Sequence, residues 1–406
     1  MADSFPALRE RNFRLYLTGN LVSFSGAWMQ ITAEGWLVKE MTHSAYWVSF
    51  VATVPWIVTT FLATFSGIVV DKHDHRTILW WTNALSMAQA VILGVLILTH
   101  SCELWHVISL AFCLGLIASV DSPTRNAFLP QIVSNKNLLS AGALNSGMIN
   151  LAQVLGSAIG AFSILQLGIG WTVIVNAFSF LAAIFMLHSL ELRETDQIHK
   201  ETHPFLMLKE GAWYIWRHNQ LLFCILLSGI LSMTGFSFRS VLPVASEELL
   251  HRGVEGLGYL SAAASLGCLG AAYVLSRLAH AVPTELFVLG GSLLCGTSLI
   301  LVSFAASMSV VLLLFFIAGL GFILAFTTLR TTIQAVVRGE NAGRVMGIVI
   351  TASYGGLSLG NLLTGTIAER YGCRTAFLVC GSALTAITFA LLPLRSLLSV
   401  KRLSSP

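Results

Sequence analysis

The sequence is dominated by runs of about 20 apolar residues, each long enough to cross the hydrocarbon core of a bilayer as a helix. Hydrophobic residues fill 55% of the 406 positions and charged residues 10%, whereas soluble domains carry about 25% charged residues. A soluble fold of this chain would leave much apolar surface in water. A chain surrounded by lipid must pair its backbone polar groups internally, as helices or a closed barrel. The uninterrupted apolar runs of helix length favour helices over a barrel.

Counting about 20 residues per span predicts twelve transmembrane helices in two sets of six. A polar stretch separates an N-terminal six-helix bundle, residues 1–190, from a C-terminal one, residues 217–406, and is predicted to be a cytoplasmic linker, residues 191–216. The chain is therefore predicted to be an all-α polytopic membrane protein. The predicted spans are 15–38, 46–70, 77–99, 104–128, 139–167, 171–190, 221–245, 257–277, 285–305, 310–332, 345–367 and 374–393.

The distribution of basic residues predicts the orientation, because Lys and Arg are retained on the cytoplasmic side. An N-terminus inside places eighteen of the 23 Lys and Arg residues on that side and four on the other, with Arg239 left within a span. We therefore expect a multi-pass protein of the bacterial inner membrane with both termini in the cytoplasm. The basic start leads straight into the first apolar run, so that helix is expected to stay in the protein.

Several classes of chemistry have no counterpart in the sequence. The seven cysteines form no CxxC pair and no spacing with histidine typical of a metal site. Nothing resembles a phosphate-binding loop or a nucleophile with its base. We expect no enzymatic activity, no metal and no cofactor. The expected partners are membrane lipids, protons and a small-molecule substrate, with no nucleic acid, and the chain is expected to be a monomer.

A charged turn follows the second predicted helix. Gly67 is followed four residues later by Asp71, and basic residues extend to Arg76. The glycine permits close helix approach, and a carboxylate at a cytoplasmic helix end can accept charged hydrogen bonds when an inner gate closes. The alternative is a solvated loop of mixed charge.

A second copy of this spacing places Glu369 four residues after Gly365, next to Arg370. The predicted topology puts it on the opposite membrane face, where inverted three-helix repeats would place it. We therefore predict gating roles for Glu369 and Arg370 as well.

Two further motifs lie in the fourth and fifth predicted helices. Asp121 and Arg125 are spaced to pair along one helix face, or to exchange partners with the Asp71 loop as a gate opens. The alternative is a local pair that only satisfies two buried charges. Gly156 and Gly160 form a small-residue face suited to tight helix packing.

Together these motifs resemble the major facilitator superfamily, and the segments 121–130 and 239–243 resemble its drug and siderophore exporter branch. The resemblance covers the whole chain in helix number, loop placement and linker. It implies the major facilitator fold and proton-coupled export through a central cavity by alternating access.

Charged groups inside a bilayer are costly, so those that remain are candidates for function. On the first predicted helix, Asn20, Gln30 and Glu34 share an arc of about 80°, predicted to face the substrate cavity. A carboxylate in a poorly solvated site holds its proton more firmly, so Glu34 is the predicted coupling residue. The alternative is an interface residue near Lys39.

A similar stripe on the seventh predicted helix joins Ser228, Ser232 and Arg239 within about 60°. Arg239 cannot release its proton and would be a fixed site for anions. We hypothesise that Glu34 and Arg239 form an outer-gate pair that substrate or proton exchanges. The alternative for Arg239 is a surface ion pair with Glu247 or Glu248.

These features favour a secondary active transporter, a proton-coupled exporter of a small amphiphilic or anionic molecule such as a siderophore or drug. The direction of transport depends on the coupling and on the free energies of the two gates, which the sequence does not show. An importer of a nutrient or metal chelate is therefore the first alternative. A non-transporting membrane sensor or lipid-handling protein is an alternative of a different class.

Overall fold

The computed structural model describes residues 6–191, 212–278, 281–337 and 341–398. These ranges contain no strand and consist almost wholly of helices, most of them long. The named helices are α1 Arg11–Thr42, α2 Ala45–Lys72, α3 His75–Leu98, α4 Leu104–Ile132, α5 Leu138–Leu167, α6 Ile169–Ser189, α7 Asn219–Gly235, α8 Leu242–Leu250, α9 Gly253–Leu278, α10 Thr284–Phe304, α11 Met308–Val336 and α12 Asn341–Leu391.

Within the described ranges, ten helical stretches are long and apolar enough to cross a membrane. One of them contains two predicted spans, because α12 is interrupted at Gly372, whose φ of 84° is a left-handed conformation suited to glycine. α1, 32 residues long, covers the first predicted span and is less apolar than these ten stretches. The predicted all-α fold with twelve spans is confirmed.

The seventh predicted span differs from the prediction of one continuous helix. α7 ends at Gly235, a 3₁₀ turn occupies Ser237–Val241, and α8 follows. Pro243 lies in the first turn of α8 and has no N–H to donate to the carbonyl of Arg239. The prediction that Arg239 shares one helical face with Ser228 and Ser232 is therefore wrong, because Arg239 lies in the 3₁₀ turn and not in α7.

Contacts within the chain divide it into two compact units. The first consists of Met1–Leu37 and Leu62–Thr202, and the second of Val38–Phe61 and His203–Pro406. The end of α1 and the first half of α2 therefore belong to the second unit. The predicted bundles 1–190 and 217–406 stay a prediction, and most of the predicted linker 191–216 lies outside the described residues.

Close helix contact in the first unit is built on the glycines of α5. A Cβ atom on Gly156 would lie 2.2 Å from the carbonyl oxygen of Ser25, and one on Gly160 would lie 3.0 Å from the Cα of Met29. Both neighbours are backbone atoms of α1, which cannot rotate away. The small-residue face predicted from the sequence thus lets α5 pack directly on the backbone of α1.

In the second unit, glycines of α12 likewise allow close contact between helices. A Cβ on Gly356 would lie 2.2 Å from the carbonyl oxygen of Gly229 in α7, and one on Gly365 would lie 2.4 Å from the Cβ of Ser49 in α2. Gly365 is the glycine of the second charged motif. At this position α12 therefore lies close to α2.

Replacing Gly156 tests this packing. We expect Gly156→Ala to destabilise the protein by about 1–3 kcal/mol, because the added methyl group must displace the backbone of α1. Thermal unfolding of the purified protein in detergent measures the effect. Gly147→Ala is the matched control on the same helix, since no atom lies within 4 Å of its added Cβ. Equal melting temperatures for the two variants would contradict the packing argument.

Candidate functional site

Glu34 lies in a buried network of amides in the first unit. The Gln30 Nε2 donates to Glu34 Oε1 at 2.6 Å and lies 3.0 Å from Gln89 Oε1. On the other side, Asn176 Nδ2 donates to Gln30 Oε1, and Ser179 Oγ donates to Asn176 Oδ1 at 3.0 Å. The network joins α1 to α3 and α6.

Gly26 permits this arrangement. A Cβ on Gly26 would lie 2.1 Å from Ser179 Oγ and 2.3 Å from Asn176 Oδ1. Absence of a side chain at this position on α1 lets the polar groups of α6 reach Gln30. The sequence stripe on α1 predicted Gln30 and Glu34, but it missed Gln89 and Asn176, because nothing in a single helix shows which partners on other helices face it.

Glu34 has no cationic partner among the described residues. Its exposed fraction is 9%, and the predicted alternative neighbour, Lys39, pairs with Glu247. The buried Nε2 of Gln89 also has no hydrogen-bond partner within the described part of the chain. A buried carboxyl group held by amides alone can change its protonation state without breaking an ion pair.

The predicted pair of the fourth helix forms. Arg125 Nε donates to Asp121 Oδ2 at 2.5 Å, and Thr82 Oγ1 donates to the same carboxylate at 2.7 Å. Arg125 also donates to Asn20 Oδ1 and lies over the ring of Phe24, 4.9 Å from its centroid. Asn20, predicted to face the cavity, is thus fully buried as a partner of Arg125.

The first charged motif is described only in part. Gly67 and Asp71 lie in the last turns of α2, and the side chain of Asp71 lies outside the described set. Asp74 caps α3 by accepting from the backbone N–H of Thr77 at 2.8 Å. Arg76 donates to the carbonyl oxygen of His188 at the end of α6, at 2.7 Å. The gating roles of Asp71 and Arg76 stay predictions.

Arg239 is half-buried against α9 in the second unit. Its guanidinium lies 3.5 Å from Ser265 Oγ and 3.5 Å from Cys268 Sγ, and 5.0 Å from the ring centroid of Phe236. No carboxylate pairs with Arg239 in the ranges that the structure describes. The predicted alternative is not seen, because Glu247 pairs with Lys39 and Glu248 accepts from the backbone N–H of Cys373 at 2.8 Å.

The two serines predicted to line the cavity with Arg239 are buried in the second unit. Ser228 is 2% exposed and Ser232 is 4% exposed. The Ser353 hydroxyl on α12 lies 3.5 Å from that of Ser228, so this side of α7 faces another helix. Ser228 and Ser232 therefore belong to the packing of α7, and their contact with a substrate stays a prediction.

The second charged motif lies at an ion-paired end of the second unit. Glu369 Oε2 accepts from the backbone N–H of Tyr46, in the first turn of α2, at 3.3 Å, and Arg370 is exposed. Beside it, Lys39 at the end of α1 pairs with Glu247 of α8, and Ser49 Oγ donates to Ser240 Oγ at 3.1 Å. The sequence had indicated Glu369 but not the Lys39–Glu247 pair.

The Asp121–Arg125 pair gives a direct stability test. We expect Asp121→Asn to cost about 3 kcal/mol, because it leaves the guanidinium of Arg125 without its charge partner in a poorly solvated site. The double variant Asp121→Asn, Arg125→Gln should recover part of that loss, since no charge remains. Thermal unfolding of the single and double variants is the measurement, and additive losses would contradict a coupled pair.

Comparison with known proteins agrees with this architecture. The profile of the family described as transmembrane secretion effector matches residues 2–403. The staphyloferrin A transporter of Staphylococcus aureus is 23% identical over 376 residues, covering 92% of this chain and 94% of that protein. The multidrug efflux pump Tap of Mycobacterium tuberculosis is 24% identical over 373 residues, covering 90% of this chain and 88% of the relative.

Solved structures show the same fold. A bacterial homologue of the human lysosomal transporter Spinster, in an inward-facing and occupied conformation, superposes with a TM-score of 0.76 at 12% identity, covering 98% of this chain and 99% of that one. The nucleoside transporter NupG superposes with a TM-score of 0.75 at 10% identity, covering 94% and 99%. A multi-pass helical fold, a match along nearly the whole sequence and relatives that are transporters lead to one conclusion: the chain is a membrane transporter of the transmembrane secretion effector family, within the major facilitator superfamily.

Proposed function

We propose that this transporter is a proton-coupled exporter of a small amphiphilic or anionic molecule, such as a siderophore or a drug. It works by alternating access in the bacterial inner membrane, with both termini in the cytoplasm. Two kinds of support favour this proposal. The relatives include a staphyloferrin A transporter and a multidrug efflux pump, and the polar network around Glu34 has the chemistry of a proton site.

The buried carboxyl group of Glu34 carries the proposal. An ionised carboxylate removed from water is costly unless a cation pairs with it, and proton binding is the other way to remove the charge. Glu34 is 9% exposed, and within the described ranges it is held by amide groups rather than by a cation. Protonation in one access state and release in the other would couple the proton gradient to substrate movement.

The amides around Glu34 serve both protonation states. The Gln30 N–H stabilises the ionised carboxylate, from which it lies 2.6 Å. After protonation the carboxyl O–H requires an acceptor, and the amide of Gln89, 3.0 Å from the same Gln30 nitrogen, offers its carbonyl oxygen. We therefore assign Gln30 and Gln89 as positioning residues for the proton on Glu34.

Arg239 supports the preference for an anionic substrate. Its guanidinium keeps its charge at any physiological pH, and no carboxylate among the described residues neutralises it. A fixed positive charge at membrane depth attracts an anion and repels a cationic drug. That Glu34 and Arg239 form an outer-gate pair, which substrate or proton exchanges, stays a prediction.

The contacts around Lys39 support a gating role for the end of the second unit that is predicted to be extracellular. Lys39 and Glu247 pair there, and the adjacent Glu369 holds the first turn of α2. We propose that these contacts hold this end closed in one access state and break in the other. Asp71, Arg76, Asp121 and Arg125 are the proposed gating residues at the cytoplasmic end.

Transport by Glu34→Gln tests the coupling. In proteoliposomes with an imposed pH gradient, we expect flux of an exported probe to lose its dependence on the gradient, because glutamine cannot exchange a proton. Substrate exchange at equal pH should persist. Glu40→Gln, an exposed carboxyl group on the same helix, is the matched control. Gradient-driven flux that survives in Glu34→Gln at the wild-type level would rule out this coupling residue.

A charge exchange tests the gate. We expect Lys39→Glu and Glu247→Lys each to lower flux by about fivefold, because the pair at this end becomes repulsive. The double variant restores opposite charges and should recover most of the wild-type rate. Initial rates in the same proteoliposomes are the measurement. No recovery in the double variant, with normal thermal stability, would argue against a functional ion pair.

A further inference from the structure

A cavity of about 320 Å³ lies within the second unit, where the ends of three helices meet. Its floor is α11, which packs against both α9 and α10. Its walls are the last turn of α9, with Leu275, and the first turn of α10, with Phe287. The volume is at the small end of the range for small-molecule sites. The residues of α11 that line this threonine pocket include Thr327, Thr328, Thr331 and Thr332.

The pocket forms because glycines bring the helices together at one level and side chains hold them apart at the next. A Cβ on Gly267 of α9 would lie 2.0 Å from the carbonyl oxygen of Phe316 in α11. One on Gly291 of α10 would lie 2.6 Å from the carbonyl oxygen of Gly321. α11 has no glycine after Gly321, and the cavity begins at Thr327, about 9 Å further along the helix axis. Space for a small molecule therefore remains between the three helices.

Thr328 is the residue of the pocket whose hydrogen bonding is incomplete. It is 6% exposed, and its hydroxyl oxygen has no hydrogen-bond partner within the described part of the chain. A threonine in a helix can donate to the carbonyl oxygen of the preceding turn, as Thr388 does to that of Leu384 at 2.7 Å. Thr328 does not make this bond, although a buried hydroxyl without a partner is costly. Its hydroxyl group is therefore free to bond with a molecule in the pocket.

The neighbouring hydroxyl groups have the complementary capacity. Thr331 Oγ1 and Thr332 Oγ1 each donate to the backbone carbonyl oxygen of Thr328, at 2.9 and 2.8 Å. Because a threonine hydroxyl has one proton and two lone pairs, both oxygens can still accept but have no proton left to donate. Residues three and four positions apart share one face of a helix. One small group in the pocket can therefore accept from Thr328 and donate to Thr331 or Thr332.

A hydroxyl group meets these requirements, because its single oxygen both donates and accepts. None of the described residues that line the pocket is charged, so an ionised ligand would lie there without a counter-charge. We infer that the threonine pocket binds a small neutral amphiphile through its hydroxyl group, with the apolar part against Leu275 and Phe287. This site is independent of the proposed function, since no residue assigned to coupling or gating lines it.

Binding of 2-naphthol to the full-length protein tests the site, in nanodiscs of phosphatidylcholine, a lipid without a free hydroxyl group. The matched probe is 2-methylnaphthalene, which has a methyl group in place of the hydroxyl, and Thr328→Val makes the same replacement in the protein. Equilibrium dialysis measures the binding of each probe relative to its uptake by empty nanodiscs. We expect wild type to prefer 2-naphthol by about tenfold and Thr328→Val to lose that preference.

Thr388→Val is the matched control, because its hydroxyl group is bonded within α12 and does not line the pocket. It should keep the wild-type preference, whereas Ala335→Trp, which fills the pocket from the last turn of α11, should weaken the binding of both probes. Thermal unfolding establishes that each variant is folded, and Thr328→Val should be as stable as wild type because it loses no hydrogen bond. Equal binding of the two probes by wild type, or a wild-type preference in folded Thr328→Val, would overturn the inference.

A membrane lipid and a dissolved molecule are the two sources of such a hydroxyl group, and a competitor distinguishes them. Dioleoylglycerol added to the nanodiscs places a free hydroxyl group at the level of the lipid ester groups. Displacement of 2-naphthol from wild type would identify a lipid alcohol as an occupant, and unchanged binding would assign the pocket to dissolved molecules. Both results support a site for a neutral hydroxyl group and differ only in its source.

Discussion

The cost of an unpaired polar group in lipid is the constraint on which the rest of the structure depends. It requires the backbone of nearly every spanning segment to be helical, and it sets a high cost on each charge inside the membrane. Most buried charges meet that cost by pairing, as Asp121 does with Arg125 and Lys39 does with Glu247. Glu34 and Arg239 have no such ion pair among the described residues, and this difference separates candidates for transport chemistry from groups that stabilise the fold.

Glycine makes the polar networks possible. Gly26 leaves room for Asn176, which donates to Gln30, and for Ser179, which donates to Asn176, and Gly156 brings α5 onto the backbone of α1. A helix held this closely cannot rotate freely, so the amides around Glu34 have defined orientations. The proton site proposed at Glu34 thus depends on glycines, which carry no functional group. In the first unit, the close packing of helices is what holds the polar groups in place.

The sequence predicted the membrane spans and the polar face of a helix well where the residues concerned all lie on one continuous helix. The first stripe correctly joined Gln30 and Glu34, because a turn of one helix separates them. The same geometry failed at Arg239, because α7 ends at Gly235 and Arg239 lies in the 3₁₀ turn that precedes Pro243.

By itself, the sequence determined the fold class, because twenty-residue apolar runs leave few options for a chain in lipid, and it determined which residues are chemically exceptional there. Only the tertiary structure decided their partners. Gln89 and Asn176 meet Gln30, Lys39 meets Glu247, and Trp56 meets Tyr354 across distances of 59 to 298 residues in sequence. Such pairings depend on which helices pack together. The periodicity of residues along one helix does not show which other helices it will contact.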